Sequence, residues 1–200
     1  MGVIGYGGRV AWAWGGKLAG QKLVPISVVA NNPLRIEQRK RGEQKFKVPV
    51  WFEAVAGGRT PMCQAITEAA SALAEFIRTY PNSYPSMVFN ITDGKATDGN
   101  PELPAFKLRA LKTTDGNVLF FNAHLSSKEA RPIEYPSSAT ELPDAEAVRL
   151  FKMSSVLPPK WREAARAEKF KVNENTRGFV FNADLNALIR FLDIGTRPNR

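Results

Sequence analysis

Cysteine and histidine each occur only once in these 200 residues, as Cys63 and His124. A lone cysteine closes no internal disulfide, which points to a reducing compartment or to a fold that needs no staple. One cysteine and one histidine also fall short of a tetrahedral zinc site. Long hydrophobic runs are missing too: stretches such as residues 23–30 are far below the roughly 20 residues a membrane helix needs. The amino terminus has no basic leader, and glycines interrupt its early apolar stretch, so no signal peptide is read there. These absences predict a soluble, cytoplasmic protein with no membrane partner. The chain has no internal repeat and no low-complexity tract.

With 44% hydrophobic residues, the chain can build one substantial core, so a single domain over residues 1–200 is expected. Val3 to Tyr6 starts as a short strand that Gly7-Gly8 breaks. Phe46 to Val55 alternates, is rich in β-branched and aromatic residues, and carries Pro49, which suits an edge strand. Gly57-Gly58 make a turn, Thr60 is placed to cap a helix, and Pro61 suits its first position. In that helix Cys63, Ile66, Ala69, Ala70, Leu73, Phe76 and Ile77 form one apolar stripe, and Pro81-Asn82 ends it. Strands are read at Met87–Ile91, Val118–Ala123 and Gly178–Phe181. Helices are read at Glu102–Leu111, Ala145–Phe151 and Lys160–Glu168, with a last one opened by Asp184. The chain loosens at Ser126, Ser127, Pro132 and Pro136. This alternation predicts an α/β fold, a doubly wound, mostly parallel sheet flanked by helices on both faces.

The formal charge of +9 raises the question of a nucleic-acid partner. Arg35, Arg39, Lys40, Arg41, Lys45 and Lys47 lie in or beside one polar connection, which reads as a solvated flank. No aromatic residue interleaves residues 34–44, which speaks against stacking on a single strand, so nucleic acid is not the expected partner. Gly5-Tyr-Gly7-Gly8-Arg-Val10 lacks both the third glycine of a dinucleotide fingerprint and a nearby acid for a ribose. Gly16-Lys17 likewise fails as a phosphate loop, so these glycines read as turns. His124 ends a strand, yet no nucleophile stands in an elbow beside it, and Cys63 reads as a small core residue.

Asp93 is different, because it directly follows the run Met87-Val-Phe-Asn-Ile-Thr. A carboxylate just outside the carboxyl end of a buried strand sits where open α/β sheets bind ligands. With Thr60 and Asp98 it offers hard oxygen donors of the kind Mg²⁺ or Mn²⁺ prefers. The alternative is that Thr60 caps a helix while the Thr-Asp-Gly triplets at 92–94 and 97–99 are turns. Spacing leaves both readings open.

Gly57-Gly-Arg-Thr60-Pro-Met, Asn90-Ile-Thr-Asp93-Gly and the closing Gly178-Phe-Val-Phe-Asn-Ala-Asp resemble a bacterial von Willebrand factor A domain over nearly the whole chain. The resemblance implies a Rossmann-like doubly wound sheet bearing a metal-ion-dependent adhesion site. Such a site holds Mg²⁺ or Mn²⁺ and takes its last ligand from an acidic group on a partner protein. Thr60 matches the family's threonine ligand and Asp93 its strand-end aspartate, while Asp98 matches no ligand. The family's Asp-x-Ser-x-Ser motif, borne on its opening central strand, begins at none of the six aspartates here. Three of five expected protein ligands are therefore missing, and the cation site is expected to be weak. The chain is expected to be an amino-terminally incomplete domain, or one whose absent strand another polypeptide supplies. The leading expectation is thus an interaction module, not an enzyme. The rivals are a Mg²⁺-dependent phosphoester hydrolase using Asp93, Asp98 and His124, and a basic nucleic-acid-binding protein.

Overall fold

The computed structural model describes residues 1–55, 57–125 and 130–196, so the expected loosening at Ser126 and Ser127 lies outside it. In chain order the strands are β1 (Ile4–Gly5), β2 (Ala11–Trp12), β3 (Arg35–Arg41), β4 (Gln44–Val50), β5 (Met87–Thr92), β6 (Lys112–Thr113), β7 (Gly116–Asn117), β8 (Leu119–His124), β9 (Ile133–Glu134) and β10 (Phe179–Phe181). The helices are α1 (Ile26–Ala30), α2 (Met62–Thr79), α3 (Glu102–Ala110), α4 (Ala145–Met153), α5 (Pro159–Ala167) and α6 (Leu185–Thr196). Two compact units result, one of Met1–Ala72 with Ala96–Gly99, the other of Leu73–Lys95 with Asn100–Arg200. No helix among the described residues is long and apolar enough to cross a membrane.

The first unit closes on a small core of Trp14, Leu18, Val24 and Val29, against which Val3 and Trp51 pack. Trp51 Nε1 donates to the Val29 carbonyl at 2.7 Å, and elsewhere in the unit Trp12 Nε1 donates to Glu68 Oε1 at 2.9 Å. The early glycines work by close approach. A Cβ on Gly57 would lie 3.0 Å from both the Gly7 oxygen and the Gly8 Cα, and Gly8 itself sits at φ +96°. The Gly5-x-Gly7-Gly8 stretch thus lets one loop backbone lie on another, consistent with turns rather than a cofactor fingerprint.

Residues 35–50 are an antiparallel ribbon: the strand expected from Phe46 is present but ends at Val50 rather than Val55, and the expected polar connection is its partner strand. Arg41 pairs with Gln44 across a two-residue turn whose first member, Gly42, has φ +61°. That conformation suits glycine at the first central position of a tight hairpin turn. Opposed residues share a face, so Lys40 lies directly across from Lys45, and Gln38 from Lys47. The other face carries Arg35, Glu37, Arg39 and Arg41 opposite Val50, Val48, Phe46 and Gln44. Pro49 is tolerated because both strands of a two-stranded sheet are edges.

The second unit is built on a four-stranded sheet of order β5-β8-β10-β9. Its first three strands are parallel and β9 is antiparallel, so the mixed α/β class and the parallel core stand as the sequence predicts. Central β8 is buried from Phe120 to His124, as expected for a parallel strand covered on both faces. Alternation divides its side chains. Phe121 and Ala123 join Val180, Tyr135, Leu157, Phe191 and Ile194 in one cluster, with α6 laid against it. Phe120 and Asn122 turn to the opposite face, where the Phe151 and Phe179 rings meet edge to face at 6.1 Å and Ser155 Oγ accepts from the Phe120 N–H at 2.9 Å. Each buried phenylalanine contributes about 1.5–3 kcal/mol. Gly178, at the mouth of β10, is required by space: a Cβ there would stand 2.1 Å from the Phe121 ring.

Candidate functional site

The loop ahead of α2 holds Thr60, in the first unit. Its N–H donates to Thr97 Oγ1 at 3.0 Å, and its carbonyl accepts from the Thr97 N–H at 3.0 Å and from the Met62 N–H at 2.8 Å. Thr60 is therefore clasped to the segment 96–99 through its backbone. The cap of α2 comes from elsewhere. Asp98 accepts from Cys63 N–H at 3.1 Å through Oδ1 and from Gln64 N–H at 2.8 Å through Oδ2. A residue 34 positions along the chain thus supplies what local sequence rules assign to Thr60.

This geometry sets the electrostatics of the loop. Burial works to raise the Asp98 carboxyl, but the N–H groups of Gln64 and Cys63 outweigh it and hold the group below its ordinary value. Cys63 is only partly buried, not the core residue its place in the apolar stripe suggests. Its thiol is pushed up to about 11, by burial first and then by the hydrogen bond and charge of Asp98. That is an inert thiol at neutral pH. Along α2 the buried side chains are Met62, Ala65, Ile66 and Ala72.

Asp93 belongs to the second unit and follows the last residue of β5. The turn there is set by Thr92, whose Oγ1 donates to the Gly94 carbonyl at 3.0 Å and accepts from the Gly94 N–H at 3.2 Å. Asp93 is exposed. Thr92 pairs in register with His124, the last residue of β8. His124 is buried at 6% exposure, with its ring 5.3 Å from that of Phe181 in an edge-on contact. Of the three residues the hydrolytic reading needs, Asp98 is engaged by helix N–H groups and His124 is in the interior. Among the described residues, no three His, Cys, Asp or Glu side chains gather as a metal group.

Comparison with protein-family models, with curated proteins and with solved structures finds no match. The fold and the residues themselves carry the functional reading.

One polar feature beneath the sheet's upper end escaped sequence reasoning. Asn90 Nδ2 donates to Asn122 Oδ1 at 2.9 Å, Asn122 Nδ2 to Ser154 Oγ at 2.9 Å, and Ser154 Oγ to the Leu150 carbonyl at 2.8 Å. The chain links β5, β8 and the end of α4 below Asp93. Its signal was visible: an asparagine is the fourth residue of both apolar runs, Met87-Val-Phe-Asn90 and Leu119-Phe-Phe-Asn122.

Proposed function

We propose that this chain is a protein-interaction module of the von Willebrand factor A type, in which Thr60 and Asp93 each match a ligand position of that family's metal-ion-dependent adhesion site. The observation that carries the reading is the division of the sheets. In the resembled family the Asp-x-Ser-x-Ser strand is central. Here β5, the strand leading to Asp93, ends its sheet, while β3–β4 and β1–β2 form sheets of their own. The edge position of β5 is what the loss of a neighbouring central strand leaves.

A hydroxyl and a carboxylate match the hard-oxygen chemistry of Mg²⁺ or Mn²⁺, but they fill two of about six octahedral positions. Water and an acidic group from a partner protein complete the shell in this reading. The few protein carboxylates leave the ion electrophilic, and the +9 charge of the chain favours an acidic partner. A strand bearing the absent motif, from the same or another polypeptide, is the other partner implied. Mg²⁺ affinity of the isolated chain is expected to be millimolar or weaker.

Amide spectra recorded with rising Mn²⁺ test this directly. Paramagnetic broadening centred on residues 60–62 and 92–94, lost in Asp93→Asn, is the expected result. Broadening that survives Asp93→Asn, or none at millimolar Mn²⁺, overturns the proposal.

A further inference from the structure

The ribbon β3–β4 holds six Lys and Arg residues against two Glu, so 16 residues carry a net +4 of the chain's +9. Its carboxylates are unevenly used. Glu37 is held by Arg35 and Arg39, and Arg35 also pairs with Glu53. Among the described residues, Lys40, Arg41, Lys45 and Lys47 have no carboxylate partner, and every residue from Gln38 to Lys47 is exposed. Lys40 and Lys45 face each other directly, and opposed like charges destabilise a strand pair. An anion seated between them offsets that repulsion.

We propose that this ribbon is a docking element for double-stranded DNA. Three features select that partner over other polyanions. A two-stranded antiparallel ribbon is the width that the roughly 12 Å major groove of B-form DNA admits, whereas the deep, narrow major groove of duplex RNA does not. Seven residues per strand make it about 23 Å long, about two thirds of the roughly 34 Å axial rise of one helical turn. Unpaired cations lie on both faces, Arg41 on one and Lys40, Lys45 and Lys47 on the other. A groove presents phosphates on both of its walls, while a flat lipid surface meets one face only. Phe46, the one aromatic residue of the ribbon, is 45% exposed, and a single ring does not make a stacking platform for single strands.

Four unpaired cations give a quantitative expectation. Each phosphate neutralised adds about −0.9 to the slope of log affinity against log salt, so the slope is about −3.6. Affinity for a short duplex of mixed sequence should then fall about 150-fold between 50 and 200 mM salt. The test is fluorescence anisotropy of a labelled duplex with the full chain. Lys40→Gln/Lys45→Gln/Lys47→Gln should leave a slope near −0.9 and a fall of only about 3- to 4-fold. A control, Lys160→Gln/Lys169→Gln/Lys171→Gln, removes equal charge from exposed sites off the ribbon and should keep the steep slope. Circular dichroism melts verify that both variants fold. The proposal is overturned if the duplex does not bind at low salt, or if both triple variants lose slope alike. Tighter binding to a single strand, an acidic peptide or phosphatidylserine vesicles than to the duplex also overturns it.

Discussion

Removing the Asp98 carboxylate tests how α2 is started. In Asp98→Ala the N–H groups of Cys63 and Gln64 lose their acceptor, and the helix loses a negative charge at its positive end. Loss of a side-chain cap costs about 0.5–2 kcal/mol, and the favourable charge at a helix N-terminus is worth about 0.3–1 kcal/mol. These overlap, and water reaches the exposed N–H groups, so about 1–2 kcal/mol is expected in total. For a chain of this size that is a fall in Tm of about 2–8 °C, read by circular dichroism. Asp98→Asn keeps an acceptor and should lose about half as much. The pH dependence has a definite sign. The folded carboxyl titrates below its ordinary value of 3.8, so its contribution is whole above that value and is lost as pH falls through the lowered one. The gap between wild type and Asp98→Ala should therefore close in strong acid. A second readout is independent of stability. With the charge of Asp98 gone, Cys63 should drop from about 11 toward its ordinary value and react several-fold faster with an alkylating reagent at mildly alkaline pH. A Tm unchanged within about 1 °C, or a gap that widens in acid, refutes the capping argument.

Asn122→Ala removes the acceptor of Asn90 Nδ2 and the donor to Ser154, and should cost about 2–4 kcal/mol in urea unfolding; a loss below about 1 kcal/mol would mean the amide chain contributes little. Gly178→Ala drives a methyl into the Phe121 ring, and expression of folded protein or Tm should fall sharply, with Phe121→Leu in the same chain restoring part of the loss. Phe191→Ala strips contacts from Phe89, Phe121 and Tyr135 at once and should cost about 3–5 kcal/mol by chemical denaturation.

The helices and parallel strands were legible because burial writes itself into the order of residues. Leu119–His124 is buried almost end to end, as its apolar run suggests, whereas edge strand Met87–Thr92 buries only Asn90 and Thr92, and of the stripe read on α2 only Ile66 is buried. The ribbon was not legible for the converse reason. Arg35–Arg41 has Ile36 as its one apolar residue, so a strand with no buried face leaves no hydrophobic period. The cap of α2 escaped because it arrives from Asp98, and local rules look only at the residue beside the helix. For the metal reading, the sequence identified the residue types, Thr60 and Asp93, and the fold sets them in separate compact units. The division of labour between Asp93 and Asp98 was likewise invisible, since both read Thr-Asp-Gly and only the fold shows that one serves a helix.

The Asn90–Asn122 bond also governs how the two strands may pair. Sliding β5 along β8 by two residues keeps every side chain on its face, so alternation alone does not forbid it. Such a slip sets Asn90 against Phe120 or His124 in place of Asn122, breaking the amide pair inside the sheet. Each amide stranded in this way costs about 1–3 kcal/mol, enough to make the misaligned sheet a minor species. Two asparagines that weaken the core as hydrophobes thereby act as an alignment key, and they hold the strand end that presents Asp93 at one fixed height.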